Sequence, residues 1–348
     1  MNKKNIFCFI ALMLVFSSLF TLLFGCKKKV QVKEYSFYYE YFDTYTAIYD
    51  YSGKSDKKFE EAKNLFSKHL EYYHKLFDIY NEYDGMNNVA TVNRLAGKEA
   101  VKVDSELIKF LEFSKEMYNL TDGNVNIAMG SVLSIWHKYR EEGKSVPDKE
   151  QLSEAAKHMD INNLIIDKTL STVYFSDPEM SLDVGAIAKG YTAERIANEL
   201  ENAGYSSYVV DLGGNLRTIG TKRDGGRWRT GVENPDPMSR DKYIYYLDIA
   251  DVSVVTSGDY QRFYYVDGKK YHHIINKDTL MPAGYFSSVT IITKNSGVAD
   301  ALSTAIFNMD YETGLSVVSK MDDVSVVWYT TDGKLLTYNI DKYNANNS

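Results

Sequence analysis

Two Asp-Gly pairs, Asp267-Gly268 and Asp332-Gly333, each sit between short runs of β-branched and aromatic residues. A two-residue Asp-Gly loop closes an antiparallel hairpin, because both residues accept the positive φ that such a turn needs. The pairs predict hairpins joining residues 263–266 to 271–275 and residues 324–329 to 335–338. Gly213-Gly214 predicts a third, between residues 208–212 and 216–219. Helical periodicity separates these ribbons. Phe59, Ala62, Phe66, Leu70, Tyr73 and Phe77 recur every three or four residues from Asp56 onward. A second helix is predicted from an Asp104 cap through Leu107, Ile108, Leu111 and Tyr118. A third covers residues 298–309 through Ala301, Leu302, Ala305 and Ile306. Residues 37–51, aromatic and β-branched, read as strand. Antiparallel ribbons with helices between them point to an α+β fold with antiparallel or mixed sheets, not to a doubly wound parallel sheet.

The first residues are a targeting segment rather than part of the fold. Lys3 and Lys4 precede an apolar run over residues 6–24, and Leu23-Phe24-Gly25-Cys26 matches the lipobox of bacterial lipoproteins, the alternative being an uncleaved membrane anchor. The expected organisation is a signal peptide over 1–25, a tether over 26–36 carrying lipid (palmitate among it) on Cys26, one domain over 37–343, and a polar tail over 344–348. The domain is then held at the extracytoplasmic face of the cell membrane. Of two cysteines in the chain, Cys8 lies in the segment to be removed. That leaves no disulfide, cysteine metal site or cysteine nucleophile to work with. A net charge of −7 gives no reason to expect nucleic acid as a partner.

Chemistry concentrates in a few places. Ser181-Leu182-Asp183-Val184-Gly185-Ala186-Ile187-Ala188-Lys189-Gly190-Tyr191 reads as a short strand ending in a carboxylate, a glycine turn and a helix start. Such a start offers unpaired N–H groups and a positive dipole end to a phosphate, and Lys189 adds a full charge. The spacing is not that of a Walker loop. Asp183 is placed to hold a ribose, an amide or a metal. Asp300 and Thr304 share a helix face at i, i+4, which suits either a partial oxygen shell for Mg²⁺ or an ordinary solvated face. His272 and His273 alternate across one strand, so at most one serves a given site, as a general base or as a satisfied histidine. Thr256-Ser257-Gly258-Asp259 follows an apolar run and fits an anion contact or a plain strand-to-turn transition.

Taken in order, these segments resemble the ApbE family, the FAD:protein FMN transferases. The resemblance rests on Leu182 to Tyr191 as quoted, Val210-Asp211-Leu212-Gly213-Gly214-Asn215-Leu216-Arg217 and Trp228-Arg229-Thr230-Gly231-Val232-Glu233-Asn234-Pro235. It continues through Thr256-Ser257-Gly258-Asp259-Tyr260, His273-Ile274-Ile275, Ser288-Val289-Thr290 and Ala299-Asp300-Ala301-Leu302-Ser303-Thr304-Ala305. It covers nearly the whole expected domain and implies a single ApbE-like, T-fold-like catalytic unit. It further implies Mg²⁺ held by the Ala186 carbonyl, Asp300, Ser303 and Thr304. FAD, as substrate, is then met by Phe42, Tyr83, Asn124, Val125, Asn126, Asp183, Lys189, Ser257, Gly258, Asp259 and Ile275. His273 is implied as the base that activates a Thr or Ser hydroxyl of an acceptor protein, which gains FMN as AMP leaves. The implied acceptors are flavin-carrying subunits of membrane electron-transfer complexes or surface reductases. Water in place of the acceptor makes the same site an FAD pyrophosphatase, and loss of chemistry leaves a flavin-binding lipoprotein. The chain departs from the family in reading Asn276-Lys277 where Asp-Pro is common after Ile275, and in having Asn126 where aspartate is usual.

Overall fold

Side chains alternate across a strand, so a strand apolar at consecutive positions must be covered on both faces. The Val252 to Val255 run and residues 286–293 meet that condition in the computed structural model, which describes residues 31–343 and the backbone of Asn346–Asn347. Eight antiparallel strands form the main sheet in chain order. They are β1 (Lys33–Tyr41), β2 (Thr44–Asp50), β3 (Tyr208–Leu212), β4 (Asn215–Ile219), β5 (Ser253–Gly258), β6 (Phe286–Thr293), β7 (Ser325–Thr330) and β8 (Leu335–Tyr338). Val255, Val289, Ile291 and Val326 point to a helical layer, whereas Val254, Ile292 and Val327 point to a small sheet on the opposite face. That small sheet pairs Trp228–Glu233 with Tyr243–Ile249, and Tyr243–Ile249 with Asn346–Asn347.

The helical layer contains α1 (Asp56–Phe77), α2 (Ser105–Leu120), α3 (Gly130–Glu142), α4 (Ala188–Asn202) and α5 (Ser296–Phe307). The apolar stripe read for α1 is its buried face, and Asp104 caps α2 by accepting from the Glu106 N–H. Helix α3 packs Val132 and Trp136 against a separate two-stranded ribbon, Phe263–Val266 with Lys269–His272, and the Trp136 indole donates to the Leu280 carbonyl at 2.9 Å. No helix among the described residues is long and apolar enough to cross a membrane. The α+β architecture expected from the hairpin signals is what the chain adopts.

Several local expectations change. Residues 37–51 are two strands, because Phe42 and Asp43 both take positive φ, 52° and 51°, and close a tight turn that no glycine announces. Strand β1 begins at Lys33, so residues 33–36 belong to the sheet and not to a tether. Asn346 and Asn347, assigned to a polar tail, pair with Tyr246 and Tyr245. The strand expected over 271–275 ends at His272, after which Ile275 bridges Pro282. Residues 181–183 form no strand. The Asn93 side chain receives the Leu182 N–H and donates to its carbonyl, doing for one residue what a neighbouring strand would do. The signal segment 1–25 and Cys26 lie outside the described residues.

Candidate active site

The site begins where α4 and α5 cross. A Cβ on Gly190 would come within 2.3 Å of the Ser296 carbonyl oxygen and 2.4 Å of the Asp300 Cβ, so only glycine permits this approach. The approach lets the Gly190 N–H donate to Asp300 Oδ2 at 2.7 Å, and Asn215 Nδ2 donates to the same oxygen at 2.9 Å. The helix start expected to meet a phosphate directly therefore holds Asp300 with one of its N–H groups. Lys189 Nζ stands 4.0 Å from Asp300 Oδ2 and donates to the Gly185 carbonyl at 3.3 Å. Burial pushes the Asp300 carboxyl above the ordinary carboxylate range, with Lys189 and the two donors pulling the other way. A buried carboxylate in that position is stabilised by a nearby cation.

Ser303 and Thr304 follow on the same helix and face β5. Ser257 Oγ lies 2.8 Å from Ser303 Oγ and 3.4 Å from Thr304 Oγ1, and Ser303 also donates to the Asp300 carbonyl. The hydroxyls and one carboxylate make an all-oxygen donor set, to which Lys189 links the Gly185 carbonyl. No group of three His, Cys, Asp or Glu converges anywhere among the described residues. Both hydrogen bonds to Asp300 fall on Oδ2, leaving Oδ1 for a metal. These donors fit Mg²⁺, which takes oxygen ligands and few protein carboxylates, and do not fit zinc. Lys189 already places positive charge between a turn carbonyl and Asp300.

The two histidines take different partners, although the strand ends at His272 and His273 lies just beyond it. His272 is buried: its Nδ1 accepts from the Ile274 N–H and its Nε2 donates to the Ala283 carbonyl at 2.8 Å, so it is a satisfied neutral core histidine. His273 is half-buried, and its Nδ1 lies 3.3 Å from the Arg262 carbonyl, which only accepts. That places hydrogen on Nδ1 and a lone pair on Nε2. Burial pushes the imidazole pKa down to about 3, helped by Arg262, His272, Lys189 and Arg140. No hydrogen bond joins Asn276 to His273. Its side chain donates to the Asn308 carbonyl and accepts from Asp278 and Thr279 N–H groups, so replacing the family's aspartate leaves the imidazole's own contacts intact.

The remaining positions divide. Asp183 Oδ1 accepts from the Gly185 N–H, and its Oδ2 faces His137 Nε2 at 3.6 Å. Phe42 sits in the β1–β2 turn with its ring edge-on to His74 and packs on the core. The Tyr83 hydroxyl is committed to Asp78 at 2.7 Å, and Lys75 stands over its ring. The aromatic ring that this loop presents toward Asp183 is Tyr80, whose hydroxyl reaches His137 Nδ1 at 3.1 Å. Asn126 caps the turn at Ile127–Met129 and donates to the Met159 carbonyl; Asn124 bonds the Thr121 carbonyl; Val125 is buried in the core. Val125 is buried, whereas Asn124 and Asn126 are partly buried and turn their amides to backbone groups of the chain. Gly258 leaves room for the Tyr260 ring, Asp259 is ion-paired with Lys270 at 2.6 Å, and Ile275 is buried beside α3. Sequence reading missed Tyr80, His137 and Arg140. Only the fold carries them to Asp183 and His273, although the i, i+3 spacing of His137 and Arg140 on one helix was visible.

Comparisons with known proteins place the whole chain. The model of the ApbE family matches residues 42–328. A FAD:protein FMN transferase of Klebsiella pneumoniae is 28% identical over 84% of this chain and 90% of its own length. One from Treponema pallidum is 33% identical over 71% of this chain and 72% of its own. The crystal structure of the ApbE protein from Thermotoga maritima superposes with a TM-score of 0.79 at 28% identity, covering 90% of this chain and 98% of the other. With the family match spanning most of the strands and all five helices described above, the chain belongs to the ApbE family.

Proposed function

We propose that this protein transfers FMN from FAD to a Thr or Ser hydroxyl of an acceptor protein, with Mg²⁺ at Asp300, Ser303, Thr304 and the Ala186 carbonyl. The observation that carries the reading is Lys189, which stands 4.0 Å from the all-oxygen cluster at Asp300 and also acts electrostatically on the neutral imidazole of His273. Similarity to proteins named FAD:protein FMN transferase supports it.

The chain's own groups divide the work. Lys189 and the α4 start offset charge on the FAD diphosphate, and the Tyr80 loop and Asp183 bound the nucleotide. His273 Nε2 takes the proton of the acceptor hydroxyl. That oxygen forms a bond to the FMN-side phosphorus, the bond from this phosphorus to the oxygen of the AMP phosphate breaks, and AMP leaves with the electron pair. The proton passes from His273 to AMP or solvent. Bound Mg²⁺ supplies Lewis-acid stabilisation of the charge that gathers on the diphosphate.

The test is direct. The purified full chain, incubated with FAD, Mg²⁺ and a candidate acceptor, should raise the acceptor mass by one FMN, and chelator should abolish the gain. AMP release over an unmodified acceptor points instead to FAD hydrolysis. Absence of both products rejects the catalytic reading. Anchorage through lipidated Cys26 at the extracytoplasmic face belongs to the same proposal. Mass spectrometry of the membrane-fraction protein should show Cys26 as its lipid-bearing first residue, and an unlipidated Cys26 or a retained 1–25 segment would overturn it.

A further inference from the structure

Helix α3 brings a histidine to the mouth of the site that the chemistry above does not use. His137 Nδ1 is 3.1 Å from the Tyr80 hydroxyl, and its Nε2 faces Asp183 Oδ2 at 3.6 Å. A carboxylate only accepts, so hydrogen belongs on Nε2. The neutral ring then accepts from Tyr80 at Nδ1. The polarity of the chain is thereby set: phenol to imidazole, imidazole toward carboxylate. The groups acting on His137 are Asp183, Arg140, Arg262 and Glu141, with Tyr80 at hydrogen-bond distance, and burial keeps the ring neutral by pushing its pKa down.

Tyr80 is 73% exposed, so its ring adds little to the core. Its backbone N–H is nevertheless pinned by Asp78 Oδ1 at 2.7 Å, while His137 pins its hydroxyl. A solvent-facing ring held at both ends has lost freedom without gaining burial, which is the arrangement of a preorganised contact for a planar ligand. Asp183 is likewise held on two sides, by the Gly185 N–H and by His137.

We propose that His137 is a positioning residue for the flavin nucleotide, setting the Tyr80 ring and the Asp183 carboxylate in one geometry at the mouth of the site. The proposal rests on the reading that FAD occupies this site. His137 does not touch the reacting atoms.

Flavin fluorescence titration of the full chain, with steady-state kinetics alongside, tests it. Tyr80→Phe keeps the ring and loses the hydroxyl; His137→Phe removes both contacts; the His137→Gln amide can accept from Tyr80 and donate toward Asp183. Losing one such hydrogen bond is expected to weaken FAD binding and raise KM about fivefold to tenfold, with kcat at saturating FAD within about twofold. Tyr80→Phe combined with His137→Phe should cost no more than His137→Phe alone, because both break one chain. His137→Gln should bind within about twofold of the parent, a rescue that a purely packing role would not produce. Unchanged FAD affinity in His137→Phe, or His137→Gln as weak as His137→Phe, overturns the proposal while FAD binding by the parent still stands. If the parent binds no FAD, this proposal and the proposed function fall together. Should His137→Phe melt early, Tyr80→Phe decides alone, since it removes one oxygen from an exposed side chain.

Discussion

Gly190→Ala is expected to lower stability by about 1–3 kcal/mol and to abolish measurable FMN transfer. The added methyl has nowhere to go: its neighbours are the Ser296 carbonyl at 2.3 Å and the Asp300 Cβ at 2.4 Å, neither of which can swing aside as a side-chain tip would. Helices α4 and α5 must separate, and that breaks the 2.7 Å bond from the Gly190 N–H to Asp300 Oδ2. Asp300 then remains buried with one donor fewer and shifts relative to Lys189. Thermal melting and the acceptor mass measurement check both halves of this expectation. Gly284→Ala is the control, since a Cβ there meets nothing within 4 Å and stability should change by no more than about 0.5 kcal/mol. Equal melting of the two variants would show that the crossing is looser than its geometry implies.

His273→Ala is expected to cut turnover by about 10²- to 10⁴-fold while FAD affinity stays within about threefold. The affinity should hold because the imidazole is neutral, its pKa pushed down to about 3 by burial and by the cations Arg262, Lys189 and Arg140. Desolvation and neighbouring positive charge both disfavour the imidazolium, so the proton leaves at lower pH and the basic form is already present at neutrality. Binding an anionic diphosphate offsets the same cations and should raise the pKa, making His273 a stronger base when substrate is present. NMR of the imidazole should show no titration between about pH 5 and 8 in the free protein, and an upward shift with FAD bound. Turnover unchanged in His273→Ala would remove it as the base, and a free-protein titration near the usual histidine value would remove the electrostatic account.

How far the sequence carried these conclusions differs between elements. The Asp267-Gly268 turn and the α1 stripe were read correctly because their signals are local, whereas the hairpin around Asp332-Gly333 forms with a longer loop in which only Gly333 takes positive φ. The Phe42-Asp43 turn was hidden because a phenylalanine at positive φ has no propensity signal; pairing of β1 with β2 imposes it. Residues 181–183 looked like a strand from composition, whereas Asn93, far off in sequence, supplies their partner.

The site shows the same division. Asp300 and Thr304 were legible as one helix face, Ser303 entered only through the family resemblance, and the alternation expected of His272 and His273 assumed a strand that in fact ends at His272. Tyr80 was passed over for Tyr83, since nothing in the sequence says which of two nearby rings has its hydroxyl committed to Asp78. From the sequence alone came the α+β class, the helix face carrying oxygen donors, and the ordered segments that resemble one family. Tertiary structure alone decided that Gly190 admits Asp300 to the α4 start, that the charges of Arg262, Lys189 and Arg140 act on His273, and that His137 joins Tyr80 to Asp183. Local rules act over a few residues, whereas these contacts join elements dozens to hundreds of residues apart and exist only once the sheet and helices have packed.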